Sequence, residues 1–162
     1  MEAKFYKALN DKKQSILSKW QAVANGSYGA QDPRHVRKTG GRFSDPIGYV
    51  TGETTAEILE WLIENESTVD INSPLEEICR LKAVQDISPD EGMSFIFALK
   101  PIIRNEIRVG HSLDNWTAEL EELDKRIDEV GWRALAIYTD CRSRIHEIKM
   151  NEIKRMYGRN AG

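Results

Sequence analysis

The last third of the chain carries the pattern that decides the fold. Residues 113–157 have the sequence LDNWTAELEELDKRIDEVGWRALAIYTDCRSRIHEIKMNEIKRMY. Its apolar residues recur in alternating steps of four and three, at Trp116, Leu120, Leu123, Ile127, Val130, Ala134, Ile137, Cys141, Ile145 and Ile148. This heptad-like spacing places one apolar stripe along a helix, with charged residues around it. The pattern predicts a long C-terminal helix.

A helix of this length does not fit inside one domain. At about 1.5 Å per residue, roughly 45 residues reach well beyond a domain about 35 Å across. Either Gly131 interrupts the helix, or its C-terminal part, residues 142–162, projects as a linker and pairs with another chain. We favour pairing, because the apolar stripe would otherwise face water. The predicted homodimer interface consists of Cys141, Ile145, Ile148 and Met156.

Four more helices are predicted before it. A first helix over residues 3–24 follows from the helical spacing of its apolar residues, Phe5, Leu9, Ile16, Trp20 and Val23. Asn25-Gly26 is a typical helix end, and Asp45-Pro46 is a typical start for the second helix, whose apolar face is predicted from Tyr49 to Ile63.

Two similar motifs predict the starts of the third and fourth helices. Ser73-Pro74-Leu75-Glu76 and Ser88-Pro89-Asp90-Glu91 both have the pattern of a capping box, and predict helices over 74–87 and 89–109. The fourth is apolar almost all round from Met93 to Ile103, so we expect it at the centre, bent at Pro101. Strand patterns are nearly absent. The predicted fold is an all-α bundle of about five main helices.

Composition indicates one globular domain, residues 1–162. With 40% hydrophobic residues the chain can form a core, and its net charge of −3 offers no basic surface for nucleic acid. No apolar run is long enough to insert into a membrane, and no signal peptide precedes the first helix, so a cytoplasmic location is predicted. The two cysteines, Cys79 and Cys141, are predicted to be buried, reduced thiols.

No motif indicates catalysis, a cofactor or a metal. The patterns GxSxG, HExxH, GxGxxG and CxxC are missing, and the three histidines lack ligands at metal spacing. We therefore predict no catalytic, cofactor-binding or metal-binding residue, and no enzymatic activity. The basic segment 26–44 has two interpretations: a solvated connection, or a flap in which Arg37, Lys38 and Arg42 contact an anionic ligand or a partner.

Three blocks of the sequence resemble a known family. Residues 42–49 (RFSDPIGY), 81–89 (LKAVQDISP, with FIFALK at 95–100) and 141–155 (CRSRIHEIKMNEIKR) are similar, in this order, to blocks of the RsbT co-antagonist RsbRD N-terminal domain family. The resemblance implies a globin-like helical sensor domain without haem. It also implies a stress-response signalling role, in which the last helix leads to a STAS domain that the sequence lacks. A STAS-domain or other signalling protein would then act in trans.

Two functional hypotheses remain. The first is a dimeric signalling or scaffolding module that works through protein–protein interaction. The second is a globin-like protein that binds haem or a small apolar ligand. Its pocket would be lined by residues of the last two predicted helices and their junction, Met93, Phe95, Phe97, His111 and Cys141. No histidine lies in the middle of an apolar helix, where a haem ligand belongs, so we favour the first.

Overall fold

The computed structural model of the protein describes residues 3–26, 45–64 and 70–160. Within these ranges every regular element is helical, which confirms the all-α prediction. The helices are α1 (Ala3–Asp11), α2 (Lys13–Ala24), α3 (Pro46–Ile63), α4 (Asn72–Val84), α5 (Pro89–Phe97), α6 (Leu99–Arg108) and α7 (Thr117–Asn160), with a 3₁₀ turn at Leu113–Trp116.

Two of the predicted helices are each divided in two. The first is interrupted at Lys12, whose amide is shared between the carbonyls of Ala8 and Leu9, both at 3.2 Å. The fourth is interrupted at Ala98. Pro101 has no N–H, so it cannot donate to the Phe97 carbonyl four residues earlier, and the helical hydrogen bonding fails there.

The long C-terminal helix is continuous through Gly131, so the interpretation that this glycine interrupts it is wrong. Gly131 is buried, and a Cβ built on it would lie 2.5 Å from Cζ of Phe97. A glycine is therefore suited to this position because it lets the Phe97 ring lie against the α7 backbone.

The first half of α7 is the helix against which most of the others pack. Its predicted stripe is buried from Trp116 to Ala134, and α7 contacts α3, α4, α5 and α6. After Ala134 the fully buried residue is Tyr138, not the predicted Ile137, which is only partly covered. Tyr138 donates its hydroxyl hydrogen to the carbonyl of Ile87, so α7 also holds the turn before α5.

On α2 and α3 the buried face differs from the predicted one by a residue or two. Val23 is exposed and Ala24 is buried in its place. On α3, Tyr49 is exposed, and the buried face contains three threonines, Thr51, Thr54 and Thr55. The hydroxyls of Thr54 and Thr55 donate to carbonyls of the preceding helical turn, which satisfies their hydrogen bonding inside the core.

The predicted central position of the fourth helix is also wrong. Phe97 is 41% exposed and Pro101 is exposed, so α5 and α6 each bury one face only. Their buried residues are Gly92, Met93, Phe95, Ile96, Leu99, Ile103, Glu106 and Ile107. The apolar run from Met93 to Ile103 therefore lies partly in the core and partly at the surface, where Phe97 is exposed.

The helix starts agree only partly with the capping motifs. Oδ1 of Asp45 accepts the Gly48 amide at 3.0 Å with Pro46 in the first turn, as predicted. The first capping box is wrong, because α4 already begins at Asn72. The second places the start of α5 correctly at Pro89, but the Ser88 hydroxyl bonds to the Asp90 carboxylate and not to a backbone amide.

A buried tryptophan joins α2 to α5. Trp20 is fully buried, and its Nε1 donates to the Phe95 carbonyl at 2.8 Å while the two rings stack at 5.8 Å. Phe95 lies in the last turn of α5, where helix carbonyls lack an intrahelical donor. The indole ring therefore fills space in the core, and its N–H pairs with a carbonyl that the end of α5 leaves without a donor.

We expect Trp20→Phe to lower the free energy of unfolding by about 2–4 kcal/mol, because it removes buried volume and leaves the Phe95 carbonyl unpaired. Urea denaturation measures this. The matched control is Trp132→Phe at an exposed position, which should change stability by less than about 0.5 kcal/mol. Equal effects of the two substitutions would contradict the role given to Trp20.

Candidate functional site

The C-terminal part of α7 extends beyond the bundle. Every side chain from residue 146 to residue 158 is exposed, a length of about 20 Å at 1.5 Å per residue. Of the predicted interface residues, Cys141 and Ile145 are partly buried against the core of their own chain, whereas Ile148 and Met156 are 59% and 67% exposed. The four therefore run from the edge of the core onto the free helix.

This free segment is amphipathic. Ile148, Ile153, Met156 and Tyr157 are large exposed hydrophobic residues, which soluble proteins rarely leave together on one element. Five basic and two acidic residues stand between positions 141 and 158. Arg144 pairs with Asp140 one turn earlier at 2.9 Å. An apolar stripe with a polar border is the composition of a protein–protein contact.

A buried lysine marks the end of α2. Lys82 of α4 is 8% exposed, and its Nζ donates to the carbonyl of Ala24 at 3.1 Å and lies 4.9 Å from the centroid of the Phe95 ring. No ion pair to a carboxylate is formed by this ammonium within residues 3–26, 45–64 and 70–160. Burial lowers the pKa of Lys82.

Lys82 lies beside the C-terminal end of α2, which precedes the basic segment 26–44 in the sequence. Its side chain caps α2 at Ala24, two residues before Gly26, the last described residue of this range. Arg37, Lys38 and Arg42 lie outside the described residues, so their role stays a prediction. Burial of Lys82 could not be predicted from its position, because a lysine in an amphipathic helix is normally solvated.

The two cysteines differ in environment. Cys79 is fully buried, and its Sγ donates to the Ala134 carbonyl at 3.4 Å, where α4 crosses α7. Burial raises the pKa of Cys79 to about 12, so the thiol stays protonated and unreactive. Both are free thiols, but Cys141 is only partly buried, so the prediction that both cysteines are buried is wrong for Cys141.

A surface groove lies between α5 and α7. Its apolar walls are Met93 and Phe97 on one side and Trp132 and Leu135 on the other, with Gly131 among the lining residues and a volume of about 320 Å³. Sequence reasoning missed it. The available signal was Trp132, a large aromatic residue that lies outside the apolar stripe of its helix.

The five residues considered for a haem or apolar-ligand pocket are not brought together. Met93 and Phe97 line the groove, but Phe95 stacks on Trp20 in the core. His111 is exposed, with its ring 4.9 Å from that of Trp116, and Cys141 is on α7 beyond the groove. The geometry does not favour the haem-binding hypothesis.

The described part of the chain has neither a metal-binding cluster nor a membrane-spanning helix. No group of three or more His, Cys, Asp and Glu side chains in it could hold a metal ion. No helix in it has both the length and the apolarity required to cross a membrane.

Comparison with known proteins gives one match. The family model described as "RsbT co-antagonist protein rsbRD N-terminal domain" matches residues 19–152, which is most of the chain. The match runs from the second half of α2 to residue 152 of α7, and it includes the groove, Lys82 and the start of the exposed segment. No curated protein and no solved structure matches the chain significantly.

The buried ammonium should make stability depend on pH in a defined direction. Between the lowered pKa of Lys82 in the folded chain and its ordinary value of about 10.4, the unfolded chain binds more protons. The contribution of this group to the free energy of unfolding therefore increases as the pH rises through that window. Below the window the folded chain keeps the full cost of a buried charge.

We expect Lys82→Met to raise the free energy of unfolding relative to wild type by more at pH 7 than at pH 10. At pH 7 the substitution removes the cost of a buried charge, whereas at pH 10 deprotonation has already relieved the wild type of part of that cost. Urea denaturation of both proteins at the two pH values measures the change. Lys125→Met, at an exposed position of α7, controls for the general effect of this substitution. A difference that is the same at both pH values contradicts the prediction.

Proposed function

The chain belongs to the RsbT co-antagonist protein rsbRD N-terminal domain family, and from this premise we propose that it is a non-enzymatic, dimeric module of stressosome-type signalling. The family suggests a sensor domain and is not a known enzyme family. The observation that supports the proposal best is the exposed apolar stripe of α7. A sensor needs an element that connects its ligand-responsive body to another protein, and this helix is continuous from the core into solvent.

In the proposed dimer, two copies pair along the C-terminal part of α7. Ile148 and Met156 leave water on pairing, and Cys141 and Ile145 extend the contact to the bundle. Burying apolar area at about 25 cal/mol per Å² favours association, and the surrounding charged residues set the register. The remaining parts of the proposal are a globin-like bundle and a cytoplasmic location.

The signal passes along α7 in this proposal. A helix held by core residues over its first half moves as a rigid rod, so a small rotation in the bundle changes the position of Ile148 and Met156. The receiving protein is a STAS-domain or other signalling protein that binds in trans. Affinity capture at native expression, followed by mass spectrometry, tests this: STAS-domain proteins should be recovered, and their absence counts against the proposal.

We expect light scattering at tens of micromolar to give the wild-type protein the mass of a dimer, twice the monomer mass of 18.5 kDa. The double variant Ile148→Asp/Met156→Asp should be a monomer, because carboxylates cannot be buried in an apolar contact without a large cost. Since both residues are exposed in the single chain, its helix content and free energy of unfolding should not change.

The control is Ser143→Asp, which adds a carboxylate at an exposed position on the opposite side of α7. It should leave the dimer intact. A wild-type monomer at these concentrations contradicts the proposed dimer, and so does a double variant that remains dimeric.

A further inference from the structure

The groove between α5 and α7 has the properties of a small-molecule site. Its volume of about 320 Å³ is at the lower end of the range for ligand pockets, and four apolar side chains form its walls. The close approach of Phe97 to the bare backbone at Gly131 shapes one side. A site of this size suits a ligand with one ring or a short alkyl chain.

Two aromatic rings in the groove are incompletely covered. Phe97 is 41% exposed and Trp132 is 69% exposed. Neither ring stacks on another aromatic ring of the described residues, unlike Trp20, Phe5 and Trp116 in the core. Their faces carry a partial negative charge that attracts cations. The groove therefore offers both apolar contact and a cation-binding surface.

Asp90 places a full negative charge at the edge of the groove, whose surface is otherwise almost entirely apolar. It is the one charged residue among those that line the groove. Its carboxylate accepts hydrogen bonds from the Ser88 hydroxyl and from backbone amides, which lowers its pKa, so the group is ionised at neutral pH. Two basic residues nearest in sequence to this region are paired elsewhere, Arg133 with Glu129 at 2.7 Å and Lys100 with Asp128 at 2.6 Å.

We propose that this groove binds a small organic cation with an apolar body, a protonated amine or a quaternary ammonium. The charged end lies between Asp90 and the faces of Phe97 and Trp132, and the apolar end contacts Met93 and Leu135. Aromatic faces beside a carboxylate are the combination that recognises such cations, whereas a carboxylate ligand would be repelled by Asp90.

The site also has a suitable position for sensing. Phe97 is the last residue of α5, directly before the interruption at Ala98, and Trp132 is on α7. A bound cation would join the two helices. That this cation is the signal depends on the proposed function, but its binding does not depend on the dimer.

The test uses three probes of matched shape: phenethylammonium, the neutral 2-phenylethanol and the anionic 3-phenylpropanoate. Isothermal titration calorimetry on the full chain should give saturable binding of the cation with a Kd in the millimolar range or below, as expected for a ligand of this size. The neutral probe should bind about tenfold more weakly, and the anion should not bind measurably. The absence of saturable cation binding to the folded wild type would overturn the proposal.

Substitutions at Asp90 and Gly131 distinguish the contribution of the carboxylate to binding from that of the groove's shape. Asp90→Asn should weaken cation binding about tenfold without changing the binding of 2-phenylethanol, and Asp90→Glu should restore the preference. Gly131→Ala should weaken both probes, because its Cβ displaces the Phe97 ring. Val109→Asn, exposed and outside the groove, is the control and should change neither. Circular dichroism verifies that each variant is folded.

Two outcomes would assign the groove to another occupant. If Asp90→Asn binds the cation as tightly as wild type, the carboxylate has no role and the proposal fails. If the protein is a dimer that Trp132→Asp dissociates, and the cation does not bind the wild type, a second copy fills the groove. Failure of the stripe variants to dissociate a dimer, with cation binding intact, would reject only the proposed dimer.

Discussion

The structure depends on one helix whose apolar stripe is covered along only part of its length. α7 has 44 residues, about 66 Å of helix at 1.5 Å per residue, and the bundle covers its stripe as far as Tyr138, with partial cover to Ile145. The covered part holds α3, α4, α5 and α6 together. In the uncovered part the four-and-three spacing continues only to Ile148, after which the apolar positions shift to Ile153 and Met156, and these residues have nothing from their own described chain to bury against. One sequence pattern thus supports both a core and a free surface.

The second constraint is Pro101. Without its N–H the helical run from 89 to 108 divides at Ala98, and each piece then turns one face to the core. Phe97, at the break, is left at the surface, where the glycine at 131 gives its ring a place against α7. A missing hydrogen bond and a missing Cβ, on different helices, together shape the groove. Ion pairs from Lys100 and Arg104 to Asp128 and Asp124 hold α6 to α7 just beyond it.

The parts of the fold that could be predicted are those set by periodicity. The stripe from Trp116 to Ala134 and the buried residues Phe5, Leu9, Ile16 and Trp20 follow from helical spacing, because core packing enforces that period. Spacing could not show that Tyr138 replaces Ile137, since burial of this phenol is favoured by an acceptor from a distant segment, the Ile87 carbonyl. Lys82 and the groove depend on contacts between distant helices, which no local pattern contains. The predicted interface residues all lie on α7, and their pairing, a property of two chains, stays a prediction.

The covered stripe also limits how a signal can travel. The groove residue Gly131 and the exposed Ile148 are 17 positions apart, about 25 Å along the helix axis. Between them Ala134 and Tyr138 are fully buried, and Cys79 bonds to the Ala134 carbonyl, so α7 cannot bend or slide freely there. Close packing of this kind permits small rigid-body shifts and not local deformation. Because the helix is unbroken, a rigid-body shift of α7 at the groove would also move Ile148.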